Sequence, residues 1–168
     1  KRPIFIAGQG VRLGQVLKEF NQAVEKFKIP VLTSRLGIDL IDTDNRLYVG
    51  RPGNYGERSA NFAIQNSDLI ISVGCRLASA LVGHDPKNFG KHAKKIMIDV
   101  DKEELNKPGV EIDIKIHNYA KNFFAELLKQ SETLKIQDFT SWINQCNYWK
   151  KTYPVVLGHY KKEKPVNS

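Results

Sequence analysis

The sequence predicts an α/β fold, a doubly wound and mostly parallel sheet of about six strands with helices on both faces. Three observations carry that expectation. Short, near-continuous apolar runs alternate along the chain with stretches that repeat apolar residues at helical spacing. The runs at residues 3–7 and 69–73 stop at glycine, and the run at 95–100 contains Asp99 and is followed by Asp101. Strands of an open parallel sheet end in this way at the edge where such sheets bind ligands. Neither an internal repeat nor a low-complexity tract interrupts the pattern.

Each element follows in order. Residues 3–7 form a buried strand that ends in Gly8-Gln9-Gly10. Residues 11–27 follow with Val16, Leu17, Phe20, Val24 and Phe27 at helical spacing, so one helix packs back on the sheet. Residues 30–33 are a second strand, and residues 37–50 read as irregular. A short helix over 57–66 leads into the strand at 68–73, and a glycine-bearing loop leads to the strand at 95–100. Asp101 is placed to cap a short helix starting at Lys102. Residues 111–116 alternate as an outer strand does, 118–130 and 139–151 read as helices, and Pro154, Gly158 and Pro165 mark an irregular exit.

The chain has 168 residues, room for one domain with a substantial core. Residues 1–130 read as the α/β domain and 131–168 as a helical extension and linker. With 41% hydrophobic and 26% charged residues the chain is an ordinary globular one. No apolar run approaches the ~18 residues that cross a bilayer. Two cysteines without paired spacing, Cys75 and Cys146, suit a reduced cytoplasmic protein. The start at Lys1-Arg2-Pro3 enters the first strand at once, with no initiator Met or leader, and reads as a domain of a longer polypeptide. Half of the net charge of +8 sits in residues 150–168, as Lys150, Lys151, Lys161, Lys162 and Lys164 against Glu163. That is a solvated tail rather than a nucleic-acid surface, although a basic interaction domain stays open as an alternative.

The most informative segment is residues 53–76, GNYGERSANFAIQNSDLIISVGCR. It joins a Gly-rich turn, a short helix, an apolar strand, and Gly74 followed by Arg76, which suggests a nucleotide-type pocket. Gly74 allows close backbone approach, and Arg76 can pair with phosphate or serve in a surface ion pair. Gly8-Gln9-Gly10 with Gly14 misses the G-x-G-x-x-G spacing by one place, and Thr33-Ser34-Arg35 lacks the ribose-binding acid, so an ordinary NAD site is not expected. Asp99 can accept from a ribose hydroxyl while Asp101 caps. Arg51, Asn54 and Tyr55 sit on the Gly-rich turn. The four histidines, His84, His92, His117 and His159, have no metal-ligand spacing, and Cys75 reads as structural. No catalytic centre and no metal site is expected within this chain.

The chain resembles the central domain of thiamine diphosphate-dependent enzymes of the acetolactate synthase type, a Rossmann-like unit. The matching pieces are RPIFIAGQGV at 2–11, IPVLTSRLG at 29–37, residues 53–76, and KKIMIDVDKEEL at 94–105. The resemblance covers most of residues 1–130. It implies a parent lyase or transferase acting on 2-oxo acid-type substrates, with thiamine diphosphate and Mg2+ bound by pyrimidine-binding and diphosphate-binding domains outside this chain. It implies a homo-oligomeric parent and, in flavin-containing members, contacts to FAD or an ADP-like nucleotide at Gly8, Gly10, Thr33, Gly53, Asn54, Tyr55, Gly56, Gly74, Cys75, Arg76, Asp99 and Val100. The family usually has an aromatic, two acids and a second arginine after Arg76, where this chain has Leu77-Ala78-Ser79-Ala80. It usually has Met and His where Asn54 and Tyr55 stand. Little or no flavin is therefore expected in the parent, and a free-standing nucleotide-binding module of the same fold is the alternative.

Overall fold

The computed structural model describes residues 1–157 and Tyr160. Six strands form one sheet: β1 (Pro3–Ala7), β2 (Val31–Thr33), β3 (Tyr48–Gly50), β4 (Leu69–Val73), β5 (Lys94–Asp99) and β6 (Ile114–His117). Their order is β3-β2-β1-β4-β5-β6 and every pairing is parallel. The chain winds outward from β1 in one direction, returns, and winds outward in the other from β4. The reversal therefore falls between β1 and β4.

Alternation along the strands divides the interior into two cores. Phe5 and Ala7 of β1, Val73 of β4 and Ile98 of β5 face one side, while Ile4, Ile6, Ile70 and Met97 face the other. The first core is closed by helices α1 (Gln9–Leu13), α2 (Leu17–Phe27) and α6 (Ala120–Ser131), through Val11, Phe20, Val24 and Phe124. Phe20 and Phe124 meet edge to face at 5.8 Å, which ties α2 to α6. The second core is closed by α3 (Arg58–Asn66), the short α5 (Lys102–Asn106) and α7 (Thr140–Thr152), through Ala60, Ala63, Leu105, Trp142 and Cys146. One more short helix, α4 (Ser79–Val82), follows β4.

The α3–α7 seam is aromatic. Trp142 packs on Trp149 at 5.7 Å, and Phe62 packs on Trp149 at 5.8 Å and on Tyr153 at 5.3 Å. Trp142 is 5% exposed, and its indole N–H donates to the Pro3 carbonyl at 2.9 Å, so α7 also fastens the start of β1. Lys150 reaches from α7 to the Thr43 and Tyr48 carbonyls at 2.7 and 2.9 Å and holds the β3 edge. Partial burial pushes the Lys150 ammonium below its usual pKa.

The structure differs from the sequence reading in three places. The helix expected over 11–27 is two helices, α1 and α2, separated at Gly14 by Gln15 at φ 55°. The helical spacing belonged almost wholly to α2. The region 37–50, read as irregular, contains β3, whose three residues are too few to show a period. The outer strand expected at 111–116 is β6 at Ile114–His117. Asp101 does cap α5, accepting from the Glu103 N–H at 2.9 Å. The expected exit signals Gly158 and Pro165, His159, and the tail charges Lys161, Lys162, Glu163 and Lys164 lie outside the described residues. Among the described residues no helix is long and apolar enough to cross a membrane.

Candidate functional site

Every residue expected at a nucleotide site lies at or just beyond the C-terminal end of a strand: Gly8 and Gly10 after β1, Thr33 at the end of β2, Gly53–Gly56 after β3, Gly74–Arg76 after β4, and Asp99–Val100 at the end of β5. The sheet thus brings all twelve to one edge. Most of them bond there to other groups of the chain.

At the reversal the β1 and β4 turns touch through backbone alone. The Gly8 N–H donates to the Val73 carbonyl and the Gly10 N–H to the Gly74 carbonyl, both at 3.0 Å. The Gly74 N–H donates to the Ile98 carbonyl at 2.9 Å. A Cβ on Gly8 would lie 2.0 Å from the Gly74 oxygen, and one on Gly10 would lie 2.6 Å from the Gly74 Cα. Gly74 itself sits at φ 55°, which disfavours any side chain. The space a glycine leaves is filled here by the neighbouring turn.

The turn after β3 is equally closed on itself. The Asn61 amide clasps the Gly53 peptide twice, accepting from its N–H at 2.9 Å and donating to its carbonyl at 3.1 Å. The Asn54 N–H donates to the Ala80 carbonyl at 3.1 Å and the Gly56 N–H to the Gly53 carbonyl at 3.0 Å. Glu57 accepts from the Arg51 N–H at 3.1 Å through Oε1. Tyr55 stands fully exposed at the tip. The Thr33 hydroxyl is buried and shares a 3.4 Å hydrogen bond with the Tyr48 hydroxyl. Burial pushes the Tyr48 phenol above its usual pKa.

After β4, Cys75 is buried, and burial raises its thiol pKa, as expected of a structural cysteine. Arg76 extends to the surface with its side chain 77% exposed, and its Nε donates to Glu104 Oε1 at 2.6 Å. The Lys107 ammonium bonds Glu104 Oε2 at 2.7 Å and also reaches the Arg76 carbonyl. The Glu104 side chain is only 11% exposed. The hydrogen bond from Lys107, with that from Arg76, holds its carboxyl below the usual glutamate pKa against the opposing effect of burial. Asp99 accepts from the Asp101 N–H at 3.0 Å, and the Val100 carbonyl, on an otherwise exposed residue, meets His117 Nε2 at 2.9 Å.

Sequence reasoning missed Glu104, Lys107 and the Asn61 clasp. Glu104 read only as part of a helix start, yet its spacing to Lys107 is that of a helical ion pair. Among the described residues no cluster of three or more His, Cys, Asp or Glu could hold a metal ion. Two clefts, of about 270 and 290 Å³, open near the opposite edge and around the ends of α2 and α7, lined by Pro3, Phe27, Leu69, Leu134, Ile136 and Phe139 among others. They lie away from the strand ends where doubly wound sheets bind ligands.

The strand order and the glycine-lined reversal define a Rossmann-like α/β unit. Residues 1–127 match the family described as thiamine pyrophosphate enzyme, central domain (thiamine pyrophosphate is thiamine diphosphate under its other name). The chain belongs to that family. It is 35% identical over 168 residues to a probable acetolactate synthase large subunit of Methanococcus aeolicus, covering 95% of this chain and 28% of the relative. It is 35% identical over 151 residues to the corresponding protein of Methanocaldococcus jannaschii, covering 90% and 25%. It is 32% identical over 171 residues to acetolactate synthase 1, chloroplastic, of Oryza sativa, covering 98% and 26%. The chain thus spans about a quarter of the length of these relatives.

Proposed function

We propose that this chain is the structural centre of a thiamine diphosphate-dependent, acetolactate synthase-like enzyme that acts on 2-oxo acids. The parent is a cytoplasmic homo-oligomer. Its thiamine diphosphate and Mg2+ are held by pyrimidine-binding and diphosphate-binding domains beyond this chain. The observation that carries the reading is the family match over residues 1–127, together with similarity to acetolactate synthase large subunits across nearly the whole chain. When bound, the thiazolium supplies an electron sink for breaking a bond beside a carbonyl, chemistry that side chains do not provide.

This chain's own contribution is positional. The Gly8–Gly74 contact, the Asn61 clasp on Gly53 and the Asp101 cap fix the turns at the sheet edge. The test is an assay of the full-length parent with pyruvate, with and without thiamine diphosphate and Mg2+, beside the 168-residue chain. Turnover should appear in the parent, require both additions, and be absent from the chain alone. Turnover of pyruvate by the chain above a blank would overturn the reading.

A further inference from the structure

The resemblance implies nucleotide contacts at this edge, so the cluster beyond β4 bears on what it can hold. Arg76 and Lys107 are two cations converging on one point, an arrangement suited to a phosphate. The point is already taken by Glu104, at 2.6 Å from Arg76 Nε and 2.7 Å from Lys107 Nζ. We infer that Glu104 is a built-in substitute for a phosphate, so that this edge excludes flavin dinucleotides and nucleoside diphosphates instead of binding them. The inference deepens the scaffold reading above and rests on it.

The asymmetry of burial decides which group keeps its partner. Arg76 is mostly in water and could turn away from Glu104 at little cost. Glu104 is largely buried, and a buried carboxylate stripped of its cations is strongly disfavoured. A phosphate that drew Arg76 away would strip Glu104 of one of its two cations and would itself sit beside a negative charge. The backbone donors of the glycine turns are engaged as well. The N–H groups of Gly8, Gly10, Gly53, Asn54, Gly56 and Gly74 each already donate within the chain. The glycine positions at the reversal are occupied by backbone and leave no open cradle.

The test is calorimetric titration of the 168-residue chain with FAD, ADP and inorganic pyrophosphate at low salt. The wild type should give no saturable binding to any of the three up to about 1 mM. Glu104→Gln keeps the shape and removes the charge, and should bind pyrophosphate at least about tenfold more tightly than the wild-type limit. That gain should vanish in the double variant Glu104→Gln/Arg76→Gln. Stoichiometric FAD or ADP binding by the wild type overturns the inference, and that arm is independent of whether any variant folds. A folded Glu104→Gln protein that stays silent to pyrophosphate also overturns it. A thiamine diphosphate-dependent parent whose central domain binds flavin would sink this inference and leave the proposed activity standing.

Discussion

Two seams hold this molecule, and they are built from opposite materials. The reversal between β1 and β4 is closed by glycines whose backbones touch, so that a single methyl on Gly8 would sit 2.0 Å from a carbonyl oxygen. The α3–α7 seam is closed by Trp142, Trp149, Phe62 and Tyr153, the bulkiest residues the chain has. The first fails if anything is added, and the second fails if anything is removed. A nucleotide-type motif can therefore mark a place where the chain has no room, while large aromatics mark the place where it is fastened.

The comparison can be broken from either side. The largest effect is expected from Trp142→Ala, which empties a buried site and orphans the Pro3 carbonyl. It should destabilise by about 3–5 kcal/mol in urea unfolding, and a loss under about 1 kcal/mol would show that α7 is only an appendage. Gly8→Ala should follow at about 3 kcal/mol, since the clash is with backbone that cannot rotate away. If it unfolds like the wild type, the two turns have room to part and the reversal is open to a ligand.

Asn61→Ala removes both bonds to the Gly53 peptide and should cost about 1–2 kcal/mol, with faster amide exchange confined to the 51–57 turn. The two thiols should be silent to a disulfide reagent in the folded chain. Burial raises Cys75 and pushes Cys146 up to about 12. One thiol per chain reacting before unfolding would contradict the tight packing of the second core. The smallest effect concerns pH. Glu104 is held below its ordinary pKa when folded, so its ion pairs stabilise above about pH 4.3 and fade as pH falls through the lower folded value. The difference in Tm between wild type and Glu104→Gln should therefore close on acidification, and a difference that widens would be inconsistent with that sign.

The fold was legible because its central strands, β1 above all, are buried on both faces and announce themselves as apolar runs. Glycines 8 and 74 were legible as strand-end turns, and Asp101 as a cap. Their partners were not, since contacts between residues far apart leave no local period. Gly8 meets Gly74 and Glu104 meets Arg76 only once the sheet has brought β1, β4 and β5 side by side. The strand β3 escaped notice for the opposite reason, being too short to carry a pattern of its own. Trp142 could be assigned to a helix, although nothing near it in sequence indicated that its indole would find Pro3.

That bond spans 139 positions, from the chain's first strand to its last described helix. The family match ends at residue 127, yet the second core is sealed by a residue fifteen places further on. On a ribosome the start of β1 is made well before Trp142, the residue that bonds to it, whatever flanks this unit in the parent. That strand's sealing waits until α7 has cleared the exit, so the order of synthesis, more than any strand's own strength, sets when this domain becomes safe from aggregation.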